Sequence, residues 1–87
     1  MSTKTTKQQL PKWFRGELYE EGDTVTNPYS GEEIELTAIE LSMYDFVIGA
    51  SLAMEMGMHH DSMITDFRKG LDWFRKHNSE AYMVLLD

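Results

Sequence analysis

Apolar residues are densest between Thr37 and Met56, and this stretch organises the rest of the chain. Thr37 and Glu40 have the spacing of a capping box, in which the Thr hydroxyl and the Glu carboxylate each accept a hydrogen bond from a backbone amide at a helix start. Gly57 can adopt the left-handed conformation that commonly ends a helix. The pattern therefore predicts a helix of about 20 residues, about 30 Å long.

This helix is apolar on more than one side. One stripe contains Ile39, Met43, Phe46, Val47, Ala50, Ala53 and Met54. A second stripe, on a different side, contains Leu41, Tyr44, Ile48 and Leu52. Glu40, Ser51 and Glu55 leave only a narrow polar strip, and a helix that is apolar nearly all round must be covered nearly all round. We therefore expect the second stripe to form a homodimer interface; the alternative is a monomer whose other elements enclose the helix.

Residues 11 to 36 have the pattern of β structure with tight turns. Asp23–Thr26 and Glu33–Leu36 alternate, with Val25 opposite Ile34 and Leu36 as inward candidates. The turn formers of residues 27 to 31 separate the two runs. This predicts either a β-hairpin packed on the long helix or, if residues 16 to 19 add a third strand, a three-stranded meander. A short helix beginning at Pro11 is the alternative for the start of this region.

A second amphipathic helix is predicted from about Ser62 to Lys76. Its apolar stripe contains Met63, Ile64, Phe67, Leu71 and Phe74. Gly70 lies inside this helix at a cost of about 1 kcal/mol relative to Ala, which a close crossing with the long helix would explain. Residues 80 to 86 are either a short helix capped by Asn78 or Ser79, or a terminal strand; Glu80 in the first turn favours the helix. The fold class is therefore α+β.

The chain length fits one domain, with residues 1 to 10 as a disordered basic tail and residues 11 to 87 as a single α+β domain. The chain has no cysteine, which is typical of a reducing compartment. Residues 1 to 10 contain no apolar stretch of the kind found in a signal peptide. We expect a cytoplasmic protein.

The net charge of −7 is unevenly distributed along the chain. Residues 16 to 60 contain ten acidic residues and no Lys or Arg. Such a segment repels phosphate backbones, so direct nucleic-acid binding is not expected. Membrane insertion is not expected either, because Glu40, Asp45 and Glu55 would lie in hydrocarbon. The acidic segment is suited either to a basic surface of a partner protein or to a solvated face that keeps the protein soluble, and an acidic mimic of nucleic acid is a further alternative.

Candidate chemistry is sparse. His59, His60 and Asp61 are the only cluster of metal-ligating residue types, and the recognised zinc spacings are absent. Asp45 is the one acidic residue in the middle of the apolar helix, where burial would shift the pKa of its carboxyl group. We expect that the protein is not an enzyme and has no cofactor or metal site. The alternative is a small metal- or ligand-binding protein or enzyme centred on His59, His60 and Asp45.

Three aromatic residues are candidates for an exposed binding surface. Tyr29 lies at the predicted hairpin tip, Trp13 lies near the tail, and Trp73 falls off the apolar stripe of the second helix. The alternative for Trp73 is that it covers the terminal segment. Exposed aromatic side chains are enriched where proteins bind each other. The leading interpretation is therefore a small acidic protein-interaction module, homodimeric, that binds a partner through Tyr29, Trp73 and the acids of residues 17 to 35.

Two stretches carry a resemblance to a known group of proteins. They are residues 21 to 33, EGDTVTNPYSGEE, and residues 70 to 75, GLDWFR. In these stretches and in size, the chain resembles small uncharacterised proteins of marine cyanobacterial phages. The resemblance implies a viral accessory protein that lies in the host cytoplasm and acts by binding a host protein, and it implies no activity, cofactor or site.

Overall fold

A computed structural model describes residues 9 to 58 and 61 to 86. Two antiparallel strands, β1 (Asp23–Thr26) and β2 (Glu33–Leu36), precede three helices, α1 (Ala38–Glu55), α2 (Asp61–His77) and α3 (Ser79–Ala81), and a π-helix at Tyr82–Leu86. This order makes the described part of the chain an α+β fold. None of its helices is both long enough and apolar enough to cross a bilayer.

The hairpin has the predicted strands, and Val25 pairs with Ile34. Residues 16 to 19 form no strand, so the three-stranded meander is wrong. The Tyr19 amide donates instead to the hydroxyl of Ser42 on α1 (2.9 Å), and that hydroxyl donates to the Ala38 carbonyl (2.8 Å). The Tyr19 amide is thus hydrogen-bonded to a side chain of α1, whereas in a third strand it would donate to a neighbouring strand.

Both ends of α1 are explained by local hydrogen bonds. The Glu40 amide donates to the Thr37 hydroxyl (3.2 Å), and the Thr37 amide donates to the Glu40 carboxylate (3.0 Å), which confirms the capping box. At the other end, Gly57 has φ +77°, and its amide donates to Met54 while the Met58 amide donates to Ala53. These two bonds form the Schellman arrangement, in which backbone donors past the helix end satisfy its last carbonyls.

The core lies between α1, α2 and the hairpin. Its most buried apolar side chains are Leu36, Met43, Val47, Trp73, Phe74 and Ala81. β2 contacts both α1 and α3, so the hairpin packs on the long helix as predicted and also on the C-terminal part of the chain. The C-terminal part is helical, with the Asn78 side chain accepting from the Ala81 amide (3.1 Å), so the helical alternative for residues 80 to 86 is confirmed.

The crossing of α1 and α2 is close at Gly70, as the sequence suggests. A Cβ atom at Gly70 would lie 2.9 Å from the Val47 Cγ2 and 3.3 Å from the Met43 Sδ. Gly70 is buried, and so are both neighbours. A Cβ atom at this position would therefore require Val47, or one of the two helices, to shift.

The N-terminal segment packs over this crossing. Leu10, Trp13 and Phe14 lie against the core, and the rings of Trp13 and Phe14 each lie 5.7 Å from the ring of Phe46. The alternative helix beginning at Pro11 does not form. Residues 11 to 14 make a single tight turn, in which the Phe14 amide donates to the Pro11 carbonyl (3.0 Å). The packed region includes Leu10, which the sequence had assigned to the tail; residues 1 to 8 lie outside the described residues.

Candidate functional site

Tyr29 is the most exposed aromatic side chain of the described chain, at 96 % of its full accessible area. It lies in the turn between β1 and β2, as predicted. The Asn27 side-chain oxygen accepts from the amides of Tyr29 (2.7 Å) and Ser30 (3.2 Å), and Gly31 supplies the positive φ that closes the turn. Asn residues form such turns readily because their side chain replaces a backbone acceptor. Tyr29 is thus exposed on a backbone that is fixed by hydrogen bonds.

The same turn is attached to the C-terminal π-helix. The Asn27 side-chain amide donates to the Val84 carbonyl (2.8 Å), a contact between residues 57 positions apart. Beside it lies a groove of about 420 Å³, lined by Glu32, Ser79, Glu80, Met83 and Val84. The hairpin tip therefore has a long-range anchor and an adjoining concave surface.

The flank of the hairpin is acidic. Thr24, Thr26, Glu33 and Glu35 alternate with the inward-facing residues and are exposed. All seven acids between residues 17 and 35 are exposed, namely Glu17, Glu20, Glu21, Asp23, Glu32, Glu33 and Glu35. None of them forms an ion pair with another described residue. This surface is available to a partner's positive charge.

Trp73 does not belong to this surface, and the expectation that it is exposed is wrong. Only 8 % of it is accessible. Its indole N–H donates to the Gln9 carbonyl (3.1 Å), and its ring lies 4.6 Å from that of His77. Trp73 lies outside the apolar stripe of α2, and the N-terminal segment covers this other side of the helix. Leu10, Trp13 and Phe14 were the sequence signal for this, since such bulky residues need a surface to cover.

The second stripe of α1 divides into two parts. Leu41 and Tyr44 are half-buried and pack against the core. Ile48 and Leu52 are exposed, at 42 % and 55 %, and a Cβ atom at Gly49 between them would meet open space. Glu40, which the sequence places on the polar strip, is instead fully buried in the capping box. The exposed side of α1 is thus partly apolar, and only half of the predicted interface residues lie on it.

The alternative metal or ligand site has limited support in the described residues. His59 and His60 lie outside them, and within them no group of three or more His, Asp or Glu side chains is placed to hold a metal ion. Asp45 is exposed rather than buried. A groove of about 450 Å³ is lined by Trp13, Arg15, Phe46, Ser62, Met63 and Asp66, so Asp45 does not line it.

Asp45 lies instead beside Tyr19. Partial burial raises the pKa of the Tyr19 phenol, and the negative charges of Asp45 and Glu17 and a hydrogen bond to Asp45 raise it further. Burial also raises the pKa of Tyr44. Both phenols have a higher pKa in the folded state than in the unfolded state. Their contribution to the free energy of unfolding is therefore fully present below about pH 10 and is lost as the pH rises through their folded-state pKa values.

We expect Asp45→Asn to lower the pKa of Tyr19, because the substitution removes a negative charge next to the phenolate. The measurement is a spectrophotometric titration of tyrosinate, with the Tyr19→Phe protein subtracted to isolate Tyr19. Ser51→Ala, which changes no charge on the same helix, is the control. An unchanged Tyr19 midpoint in Asp45→Asn would contradict the contact.

Comparison of the chain with protein-family models, with curated proteins and with solved structures finds no match.

Proposed function

We propose that this chain is a small acidic protein-binding module that contacts a basic surface of its partner through Tyr29 and the hairpin carboxylates. The observation that carries the proposal is Tyr29, which is 96 % exposed on a turn held by the Asn27 side chain. In line with the resemblance to phage proteins, we propose a host protein as the partner.

The physical argument starts from the aromatic ring. Tyr has only two side-chain torsions, so fixing it in a complex costs little entropy while it contributes a large contact area. The turn backbone is already ordered by the hydrogen bonds of Asn27 to Tyr29 and Ser30. A pre-ordered aromatic side chain loses less free energy on binding than one on a mobile loop.

The charge argument concerns orientation and association rate. The exposed acids of residues 17 to 35 surround the hairpin without a single Lys or Arg in that stretch. A field of one sign accelerates encounter with an oppositely charged surface and excludes like-charged partners. Tyr29 would therefore supply most of the contact energy, and the carboxylates would select and orient a basic partner.

We expect Tyr29→Ala to weaken partner binding at least tenfold, since truncating a central interface tyrosine costs about 2 kcal/mol or more and about 1.4 kcal/mol is a factor of ten in affinity. The full chain is immobilised on a resin and incubated with a cyanobacterial lysate, and a captured protein is identified. The affinity of the purified partner for the chain is then measured by calorimetry. Leu18→Ala, which shortens a side chain that is 69 % exposed away from the tip, is the matched control. Equal affinity of the Tyr29→Ala and wild-type chains would contradict the proposal.

The salt dependence of the same complex separates this function from mimicry of nucleic acid. A mimic binds a basic groove by its charge pattern, so its affinity falls steeply with salt and is indifferent to Tyr29. A module anchored by Tyr29 retains part of its affinity at high salt. Steep salt dependence together with no effect of Tyr29→Ala would replace the proposed function by mimicry.

Self-association is a second candidate property, and the exposed side of α1 favours it. Ile48 and Leu52 are accessible there, and the open space at Gly49 would let a second helix approach closely. A short chain buries a modest core, so association would add stability.

We expect the wild-type chain to reach twice its 10.1 kDa mass in light scattering as concentration rises. Leu52→Glu should return it to the monomer mass, because a charge would be buried in the interface. Leu18→Glu, at an exposed apolar position off α1, should leave the dimer intact. A wild-type mass of 10.1 kDa at every concentration would rule out this dimer.

A further inference from the structure

The groove beside the hairpin tip combines two carboxylates with an apolar lining. Glu32, in the turn after β1, and Glu80, in α3, both line it. Met83 and Val84 of the π-helix supply the apolar lining, and Met83 is 66 % exposed. The two acids therefore come from different elements and border one volume of about 420 Å³.

We infer that this groove binds an arginine side chain of the partner protein. The inference rests on the proposed function and names the residue that the partner supplies next to Tyr29. An arginine has an aliphatic stem that packs on apolar surface and a planar, permanently charged head that donates several hydrogen bonds. Met83 and Val84 match the stem, and Glu32 and Glu80 match the head.

Arginine fits better than lysine because of the number and origin of the acceptors. A guanidinium presents five N–H donors in a fixed plane, so it can bond two separate carboxylates at once. An ammonium is a compact and strongly hydrated charge that matches such a pair less well. The thioether of Met83 is flexible and polarisable, so it can adapt to the stem.

The lining elements are held in place before any ligand arrives. The Asn27 side-chain amide joins the turn that contains Glu32 to the Val84 carbonyl (2.8 Å). The Asn78 side chain caps α3 through the Ala81 amide (3.1 Å) and so orders the turn that contains Glu80. Since these bonds exist in the free chain, a ligand has little ordering cost to meet there.

The test uses defined tripeptides rather than an unidentified partner. The full chain is titrated with N-acetyl-Ala-Arg-Ala-amide, and with the matching citrulline and lysine peptides, while the methyl signals of Met83 and Val84 are followed by NMR. Citrulline has nearly the shape of arginine and no charge. We expect saturable methyl shifts with the arginine peptide, weaker binding of the lysine peptide, and no saturable shift with citrulline.

The matched protein variants alter charge equally at two places. Glu32→Gln with Glu80→Gln should weaken the arginine peptide about threefold per carboxylate, the effect of an exposed ion pair. Glu21→Gln with Glu35→Gln removes two charges elsewhere on the hairpin and should change affinity little. Equal losses in both double variants, equal binding of arginine and lysine peptides, or unmoved methyl signals would each overturn the inference.

The outcome is separable from that of the proposed function. If the peptide fails to bind while Tyr29→Ala still weakens the captured partner, the arginine site is wrong and the protein-binding function stands. If the peptide binds in the groove while Tyr29→Ala leaves partner affinity unchanged, the arginine site is supported and the proposed role of Tyr29 is wrong.

Discussion

Replacing Gly70 by alanine is expected to lower the free energy of unfolding by up to about 2 kcal/mol. The added Cβ would lie 2.9 Å from the Val47 Cγ2 and 3.3 Å from the Met43 Sδ, inside the α1–α2 crossing. Val47 is buried and, as a β-branched residue in a helix, has one strongly preferred rotamer, so it cannot move aside easily. Overpacking of this kind costs about 1–3 kcal/mol, and the gain in helix propensity offsets about 1 kcal/mol of it, which leaves a net loss of up to about 2 kcal/mol.

Gly49→Ala is the matched control for this substitution. It is the same change inside α1, at a position where a Cβ meets no atom within 4 Å. Only the propensity gain remains there, so the free energy of unfolding should rise by up to about 1 kcal/mol. Urea unfolding of both variants at low protein concentration checks the pair. Stabilisation by Gly70→Ala as well would show that the helix crossing has room to relax.

Replacing Asn27 by alanine is expected to destabilise the fold by about 2–3 kcal/mol. The side chain accepts from the Tyr29 and Ser30 amides and donates to the Val84 carbonyl, and each such bond contributes about 1 kcal/mol. All three bonds are lost together. The loss should appear as a lower midpoint in urea unfolding and as faster hydrogen exchange of the turn amides.

Asn27→Asp separates the two roles of this residue. The carboxylate can still accept from the turn amides, but it cannot donate to Val84, and its charge faces a carbonyl oxygen. We expect a loss of about 1–2 kcal/mol, the cost of an unsatisfied carbonyl, with the turn amides still protected. Wild-type stability in Asn27→Asp would show that the link between the hairpin and the π-helix contributes nothing.

The local signals in the sequence were reliable at particular places. The capping box of Thr37 and Glu40, the helix end at Gly57 and the Asn27 turn are each formed by residues within a few positions of one another. The strands Asp23–Thr26 and Glu33–Leu36 follow from alternation over four residues each and from the turn between them. Interactions over such short distances in sequence do not depend on how the rest of the chain packs.

The errors concern surfaces whose exposure depends on distant elements. Trp73 is covered by a segment 64 positions away, through the Gln9 carbonyl. Residues 16 to 19 form no strand, and the Tyr19 amide donates instead to the Ser42 hydroxyl. Neither contact leaves a periodic trace in the sequence; the bulky residues Leu10, Trp13 and Phe14 indicate that the N-terminal segment packs, but not which surface it covers.

For the candidate site, the sequence by itself placed Tyr29 at a hairpin tip within an acidic, base-free stretch, because turn chemistry and charge are properties of neighbouring residues. Only the tertiary structure removed Trp73 from that surface, left Ile48 and Leu52 accessible on α1, and brought Glu32 and Glu80 to one groove. Those outcomes depend on which elements cover each other. That choice is made by contacts between residues far apart in the chain, which helix and strand periodicity cannot encode.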